Sequence, residues 1–489
     1  MTNQHYSYRQ IMKATSIFGG VQIVKIITNI ISSKVIAILL GPSGMGIVGL
    51  FNSTISFISS LSNFGLTTSA VKNISSASSY KQIDEISFQV ALIKKLIWFT
   101  GLLGTISTLL LSKYISVLTF GSDDFTTFFV FLSFSILINQ ISNGQIIILQ
   151  GLRMHKQLAN AIITGSILGL LFSLPFYYFL GVNGIVPAML IVSLMNLFRS
   201  WYFTKDIVIN KTYISFKQAF LQGKEMLLLG FFISLSGIIT NGFSYFTKLF
   251  ISKYGTFEEV GFYNAGFILV NGYVGLVFSA MATDYFPKLS FNNHDNKYLE
   301  KTINEQSIIM LLLLPPIIIL FFLLNKFIIV TLYSKQFLVI TNMILFSLIG
   351  IYIRAIGWSI SFVFIAKGDS KLFFWNELFA NVYFFLFNII LYIYYGLDGL
   401  GISFSLGYLI YFFHMNILLN STYKIQIGKD VIRILLINLI LILISLFFHL
   451  TLKFKFLFIF IIFTFTTVFC LYELNKKVKF KEVLIKYLK

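Results

Sequence analysis

Apolar runs of about 20 residues follow one another along the whole chain, and nothing else in the sequence constrains the fold as strongly. Inside a bilayer no water satisfies the backbone. A run of that length that crosses must therefore close its hydrogen bonds within itself, as a helix. Windows of about 19–25 residues place such runs near 15–40, 45–71, 96–120, 125–149, 158–180, 184–204, 226–251, 260–285, 306–332, 337–366, 372–395, 399–421, 431–450 and 455–474, about fourteen in all. They are too long for outer-membrane strands of about ten alternating residues. No charged stretch between them is long enough for a soluble domain: 11% of the 489 residues are charged, against about 25% in soluble proteins. The expected fold class is an all-α polytopic membrane protein.

Fourteen is even, so both termini fall on one side, and charge decides which. With the N-terminus inside, the cytoplasmic ends and loops collect 27 of the 37 Lys and Arg residues, from Arg9 and Lys13 through Arg153, Lys211, Lys297, Lys367 and Lys429 to the tail Lys476–Lys489. The outer side holds Lys113, Lys253, Lys326, Lys335, Lys453 and Lys455. Such a bias orients spans and accounts for most of the net charge of +19. In a soluble protein that charge would raise nucleic-acid binding; here no nucleic-acid partner is expected. The first span reads as a retained helix, because no small-residue cleavage site follows it before Gly41-Pro42. Lys81 to Lys95 reads as a short amphipathic helix on the inner headgroups, with Ile83, Ile86, Val90 and Ile93 on its apolar side. The tail lysines suit anionic lipid.

Three short matches recur in order. Gly49-Leu50-Phe51-Asn52 is echoed by Gly261-Phe262-Tyr263-Asn264 at an offset of 212, Gln150-Gly151-Leu152-Arg153 by Lys367-Gly368-Asp369-Ser370 at 217, and Gly181-Val182-Asn183-Gly184-Ile185 by Gly396-Leu397-Asp398-Gly399-Leu400 at 215. They imply an N-lobe of spans 1–6 (1–204), a cytoplasmic linker (205–225) and a C-lobe of spans 7–12 (226–421), followed by spans 13–14 with the basic tail (422–489). Six spans per lobe is even, so the two lobes repeat in parallel about a pseudo-twofold axis along the membrane normal. Transporters place substrate between such repeats.

Four basic residues remain inside spans: Lys25, Lys34, Lys248 and Arg354. A buried charge is costly unless it faces water or an anionic partner. Helical spacing puts Gln22, Lys25 and Asn29 on one stripe, Asn52, Ser56, Ser59 and Asn63 on a second, and Asn241, Ser244 and Lys248 on a third. Asn264, Asn271 and Gly275 share a face of span 8, and span 4 adds Asn139 and Asn143. Lys34 precedes Lys248 by 214 residues, close to the repeat offset. These residues suit a hydrated cationic cleft for a phosphate or pyrophosphate bearing polar sugars, the lysines as point charges and Arg354 as a bidentate partner. The alternatives are local. Lys34 and Lys248 reach the headgroups by snorkelling, the Asn and Ser stripes join helices, and Glu377 pairs with Arg354. Carboxylates are scarce inside spans, which counts against cation-coupled drug export. Cys470 stands alone and the five histidines are scattered, so no metal site or disulfide is expected; no cofactor and no enzyme constellation is legible either.

Leu39-Leu40-Gly41-Pro42-Ser43-Gly44-Met45-Gly46, then an Asn/Ser-lined helix and Phe64-Gly65-Leu66, resembles the opening of O-antigen and related polysaccharide flippases (Wzx type). These belong to the multidrug/oligosaccharidyl-lipid/polysaccharide exporter superfamily. The resemblance covers the whole chain in span pattern and only the first hairpin in motif. It implies a V-shaped pair of lobes in a bacterial inner membrane, moving an undecaprenyl-pyrophosphate-linked oligosaccharide outward by alternating access. It also implies that the cations hold the pyrophosphate, and that nearby Asn, Gln and aromatic residues hold sugars. Partners implied are the lipid-linked oligosaccharide, membrane lipids, and a glycan polymerase with its chain-length machinery. Fourteen spans exceed the basic twelve, and the resemblance implies for spans 13 and 14 the role of the extra helix pair that relatives flipping the peptidoglycan precursor use as a lipid-tail groove. Two other functions fit the sequence: a drug or small-molecule antiporter of the same superfamily, and a non-transport component of a polysaccharide assembly complex.

Overall fold

The computed structural model describes residues 2–79, 83–207, 214–451 and 455–478, with side chains left out at 2–19, 79, 216, 229, 232, 233, 273, 280, 283, 284, 455 and 478. Lys81, Lys211, Lys453 and the tail lysines from 479 onward lie outside the described residues. Those residues are helical nearly throughout. The first eight helices are α1 (Thr2–Leu39), α2 (Gly41–Ser62), α3 (Leu66–Ser79), α4 (Ile83–Phe120), α5 (Thr126–Gly151), α6 (His155–Leu180), α7 (Ile185–Thr204) and α8 (Phe216–Tyr254). The remaining seven are α9 (Phe257–Phe267), α10 (Leu276–Phe291), α11 (Asn296–Leu332), α12 (Thr341–Lys367), α13 (Ser370–Tyr423), α14 (Lys429–Thr451) and α15 (Lys455–Val478). Among the described residues, 11 continuous segments are long and apolar enough to cross a membrane. Two of them, at 50 and 54 residues, are each long enough for two crossings of about 20 residues. The span expected at 226–251 falls within α8. The chain is a multi-pass helical membrane protein.

Two expectations need correction. The run 45–71 is not one helix: α2 ends at Ser62, and Phe64 and Gly65 take left-handed φ values of 47° and 60° before α3 begins. The segment near Lys81–Lys95 is not a separate surface helix either. From Ile83 it continues unbroken into α4, about 57 Å in all at about 1.5 Å per residue. Val90 and Ile93 are buried against Leu66, Ala70, Ile74 and Met226, so that part of its apolar side meets protein, while Ile83 stays exposed.

The chain divides into two compact units, Met1–Gly261 and Phe262–Lys489. In the first, α8 runs antiparallel to α2 along its length. Gly230 meets Gly65, where an added Cβ on Gly65 would lie 1.9 Å from the Gly230 carbonyl oxygen. Gly242 meets Phe57, and Lys248 meets Gly49. In the second unit α14 and α15 pack on α11. Asn438 donates to the Leu311 carbonyl at 3.1 Å, and Asn325 lies 3.4 Å from the His449 ring nitrogen.

The repeat has a register of 215 in local geometry. Gly181 and Gly396 share one glycine conformation (φ 56°, ψ −130° and φ 56°, ψ −137°). A Cβ on Gly184 or on Gly399 would lie 2.0 Å from a carbonyl oxygen eight residues earlier, of Phe176 and Leu391. Arg153 and Gly368 are left-handed (φ 58° and 79°). They are followed by Met154 and Asp369, which share ψ 62° and donate to the carbonyls of Leu149 and Phe364. Gly368 therefore corresponds to Arg153 and not to Gly151. The same register relates Gly46 to Gly261, which cross within the first unit: Cβ atoms there would lie 1.8 Å from the Phe257 oxygen and 1.9 Å from the Pro42 oxygen. Gly261 thus corresponds to Gly46 and not to Gly49. Lys34 is one residue out of register with Lys248, whose counterpart is Ser33.

Candidate functional site

In the first unit α1 has two exposed faces. Ile23, Ile27, Ile31 and Ile38 form one. Exposed Gln22 and Asn29, with half-buried Lys25 between them, form the other, about 170° away at about 100° per residue. Isoleucines suit lipid. A stripe holding a lysine requires water or an anion. No described carboxylate forms a salt bridge with Lys25. Lys34 is half-buried and falls on the isoleucine side, so the structure separates it from Lys25.

The stripe on α2 divides by depth. Asn63 is held: its Oδ1 accepts from Gln140 Nε2 at 2.7 Å and its Nδ2 donates to Thr67 Oγ1 at 3.2 Å, while Gln140 also donates to Thr100 at 2.9 Å. That end joins α2, α3, α4 and α5. Asn52 and Ser56 stay exposed, as do Asn241 and Ser244 on α8. The contacts of Gly242 with Phe57 and of Lys248 with Gly49 set these four at one depth. Lys248 is half-buried, and its Nζ donates to the Gly49 carbonyl at 3.4 Å. The carbonyl is a neutral partner and leaves the charge uncompensated. Asn139 is half-buried and Asn143 exposed on α5.

The second unit builds a site around Arg354. Its guanidinium donates to Asn271 Oδ1 at 3.0 Å and lies over the rings of Phe278 (5.0 Å) and Tyr408 (5.4 Å). Asn271 reaches it because Ile268–Val274 is a π-helical turn in which Gly275 donates to Val270, five residues back. Such turns re-aim side chains and recur at functional sites. The turn also breaks the face expected for Asn264, Asn271 and Gly275: Asn271 is exposed, Asn264 half-buried and Gly275 buried. Glu377 is half-buried on α13 and forms no salt bridge with Arg354. The ion pair considered from sequence is not formed. Among the described residues no three His, Cys, Asp or Glu side chains assemble as a metal site.

Sequence inspection missed Gln140 and the aromatic surroundings of Arg354. The spacing Arg354, Trp358, Phe362 puts two further rings on the arginine's own helix face, whereas Phe278 and Tyr408 come from other helices and carry no such signal.

The structure thus holds three span cations, Lys25 in α1, Lys248 in α8 and Arg354 in α12, to which no described carboxylate forms a salt bridge. A family model described as Polysaccharide biosynthesis protein matches residues 35–342, more than half of the chain. The chain belongs to that family. Among solved structures it is similar to the lipid II flippase MurJ in an inward closed conformation, at 18% identity and TM-score 0.66 over 96% of this chain and 99% of that one. It is also similar to an inward-facing multidrug resistance MATE family transporter of the MOP superfamily, at 18% identity and TM-score 0.67 over 84% and 99%. A MATE transporter in its straight conformation is similar too, at 18% identity and TM-score 0.59 over 85% and 96%. At these identities the likeness is one of fold, and this member of the polysaccharide biosynthesis family has the fold of the MurJ and MATE transporters. No curated protein matches it in sequence.

Proposed function

We propose that the protein is a flippase carrying an undecaprenyl-pyrophosphate-linked oligosaccharide, an O-antigen or related repeat unit, across the bacterial inner membrane by alternating access. The observation that carries this reading is the state of its cations. Arg354 sits in mid-span against an amide and two aromatic rings, with no described carboxylate in a salt bridge to it. Lys25 lies on an exposed polar stripe opposite a lipid-suited face. Charges held this way attract an anion, and Arg354 retains guanidinium donors for a phosphate. Both termini are cytoplasmic in this reading. Lys248, Asn52, Asn241 and Asn264 add polar contacts in the path, whereas Lys34 belongs to the lipid side. A glycan polymerase and its chain-length partners receive the product.

A second function, cation-coupled export of small molecules, is favoured by Glu377, a half-buried carboxylate in α13. Surface glycan separates the two. Lys25→Ala and Arg354→Ala each abolish glycan delivery while the protein is still made, and Glu377→Gln leaves it intact. Normal glycan in both cation mutants overturns the flippase proposal.

A further inference from the structure

Between Gly350 and Phe364, α12 buries every residue except Arg354, Trp358, Ser361 and Phe362. These four fall on one stripe. A lipid-facing stripe would exclude an arginine, so Trp358 shares with the guanidinium a face that is not turned to lipid. Trp358 lies one turn, about 6 Å, from Arg354 toward Lys367. Its ring is fixed on three sides. Tyr285 stacks on it (centroids 5.7 Å, 25°), Phe278 meets it edge-on (5.5 Å, 73°), and Phe362 does the same from one turn further along (4.8 Å, 62°). Tyr285 is itself anchored, its hydroxyl donating to the Ser359 carbonyl at 2.8 Å. Phe278 links the two halves of the stripe, because the ring that bears on Trp358 also lies under the guanidinium.

We propose that Trp358, with Phe362 beyond it, is a stacking platform for the sugar ring bonded directly to the pyrophosphate that Arg354 holds. This rests on the flippase reading and assigns a specificity element within it. A rigid indole offers a flat apolar face to the C–H face of a pyranose at little entropic cost, and a group one turn from an anion site meets the substituent next to the phosphate. Arg354 then reads the charge common to all such lipids, and Trp358 reads the presence of a sugar.

Binding to the purified full chain in nanodiscs tests the proposal, with two probes: undecaprenyl pyrophosphate, and the lipid-linked glycan isolated from the cells that make this protein. Wild type is expected to bind the glycan lipid more tightly than the bare lipid. Trp358→Leu loses about tenfold for the glycan lipid and less than about twofold for the bare one, and Trp358→Phe falls between. Equal weakening of both lipids, or of neither, overturns the platform, as does a wild type that binds the two alike. Arg354→Gln weakens both if the anion site is right. If it weakens neither while Trp358→Leu still loses the glycan lipid selectively, the anion reading fails and the platform stands. Trp358→Phe keeps a ring in place, so its intermediate value separates a stacking loss from a packing defect.

Discussion

The crossing of α2 and α9 leaves no room for one carbon atom, and this sets a measurable cost. A Cβ on Gly46 would sit 1.8 Å from the Phe257 carbonyl oxygen, and one on Gly261 1.9 Å from that of Pro42. Both obstacles are backbone, so no side-chain rotation relieves them. To regain an ordinary contact of about 3.4 Å the helices must part by about 1.5 Å, which strains the Ser43–Glu258 contact, already 3.4 Å long. Overpacking of this kind costs about 1–3 kcal/mol. Gly46→Ala and Gly261→Ala should each lower stability by that amount in thermal unfolding of the detergent-purified protein. The double mutant should cost less than the sum, because one separation relieves both clashes, a coupling of about 0.5–3 kcal/mol. Gly237→Ala, with open space around its Cβ position, is the control; it should be neutral or gain up to about 1 kcal/mol from helix propensity. Unchanged unfolding in Gly46→Ala, or strict additivity in the double mutant, would refute the reciprocal crossing.

Other consequences follow from single positions. Arg153 pays for a left-handed φ of 58° that its counterpart Gly368 adopts freely, so Arg153→Gly should stabilise by about 1 kcal/mol in the same melt, while Gly396→Ala should destabilise by about 1–3 kcal/mol. Gln140→Leu strands the Asn63 and Thr100 partners and should cost about 1–3 kcal/mol, measurable against a Gln140→Asn variant. Lys25→Ala should eliminate surface glycan and Lys34→Ala leave it, a contrast read from glycan gels at matched protein levels.

The spans were legible because apolar length is dictated by bilayer thickness, and the repeat because Gly181 and Gly396 require a conformation only glycine takes easily. The register was less so. Gly49 and Gly151 look like the counterparts of Gly261 and Gly368, yet the helices place Gly46 and Arg153 there, since an arginine can hold a left-handed turn that the eye assigns to glycine. The break at Phe64 was hidden for the same reason: a bulky residue with positive φ carries no sequence signal. Of the candidate site, Lys25 and its stripe could be read from a period of 3.6. The pairing of Arg354 with Asn271 could not, because the π-helical turn that aims Asn271 changes the period locally. The tyrosine and phenylalanine around Arg354 come from α10 and α13, far apart in sequence, and no spacing announces them.

The central claim is that cations in mid-span, to which no described carboxylate forms a salt bridge, carry a pyrophosphate-linked glycan. Its most direct measurement is translocation of a lipid-linked glycan in vesicles reconstituted with the purified chain, with lectin capture reporting arrival at the opposite face. Wild type should move the glycan lipid, Arg354→Lys should retain a reduced rate, since charge persists without the planar fork, and Arg354→Gln should fall to the rate of empty vesicles. Transport by Arg354→Gln at the wild-type rate would contradict the account.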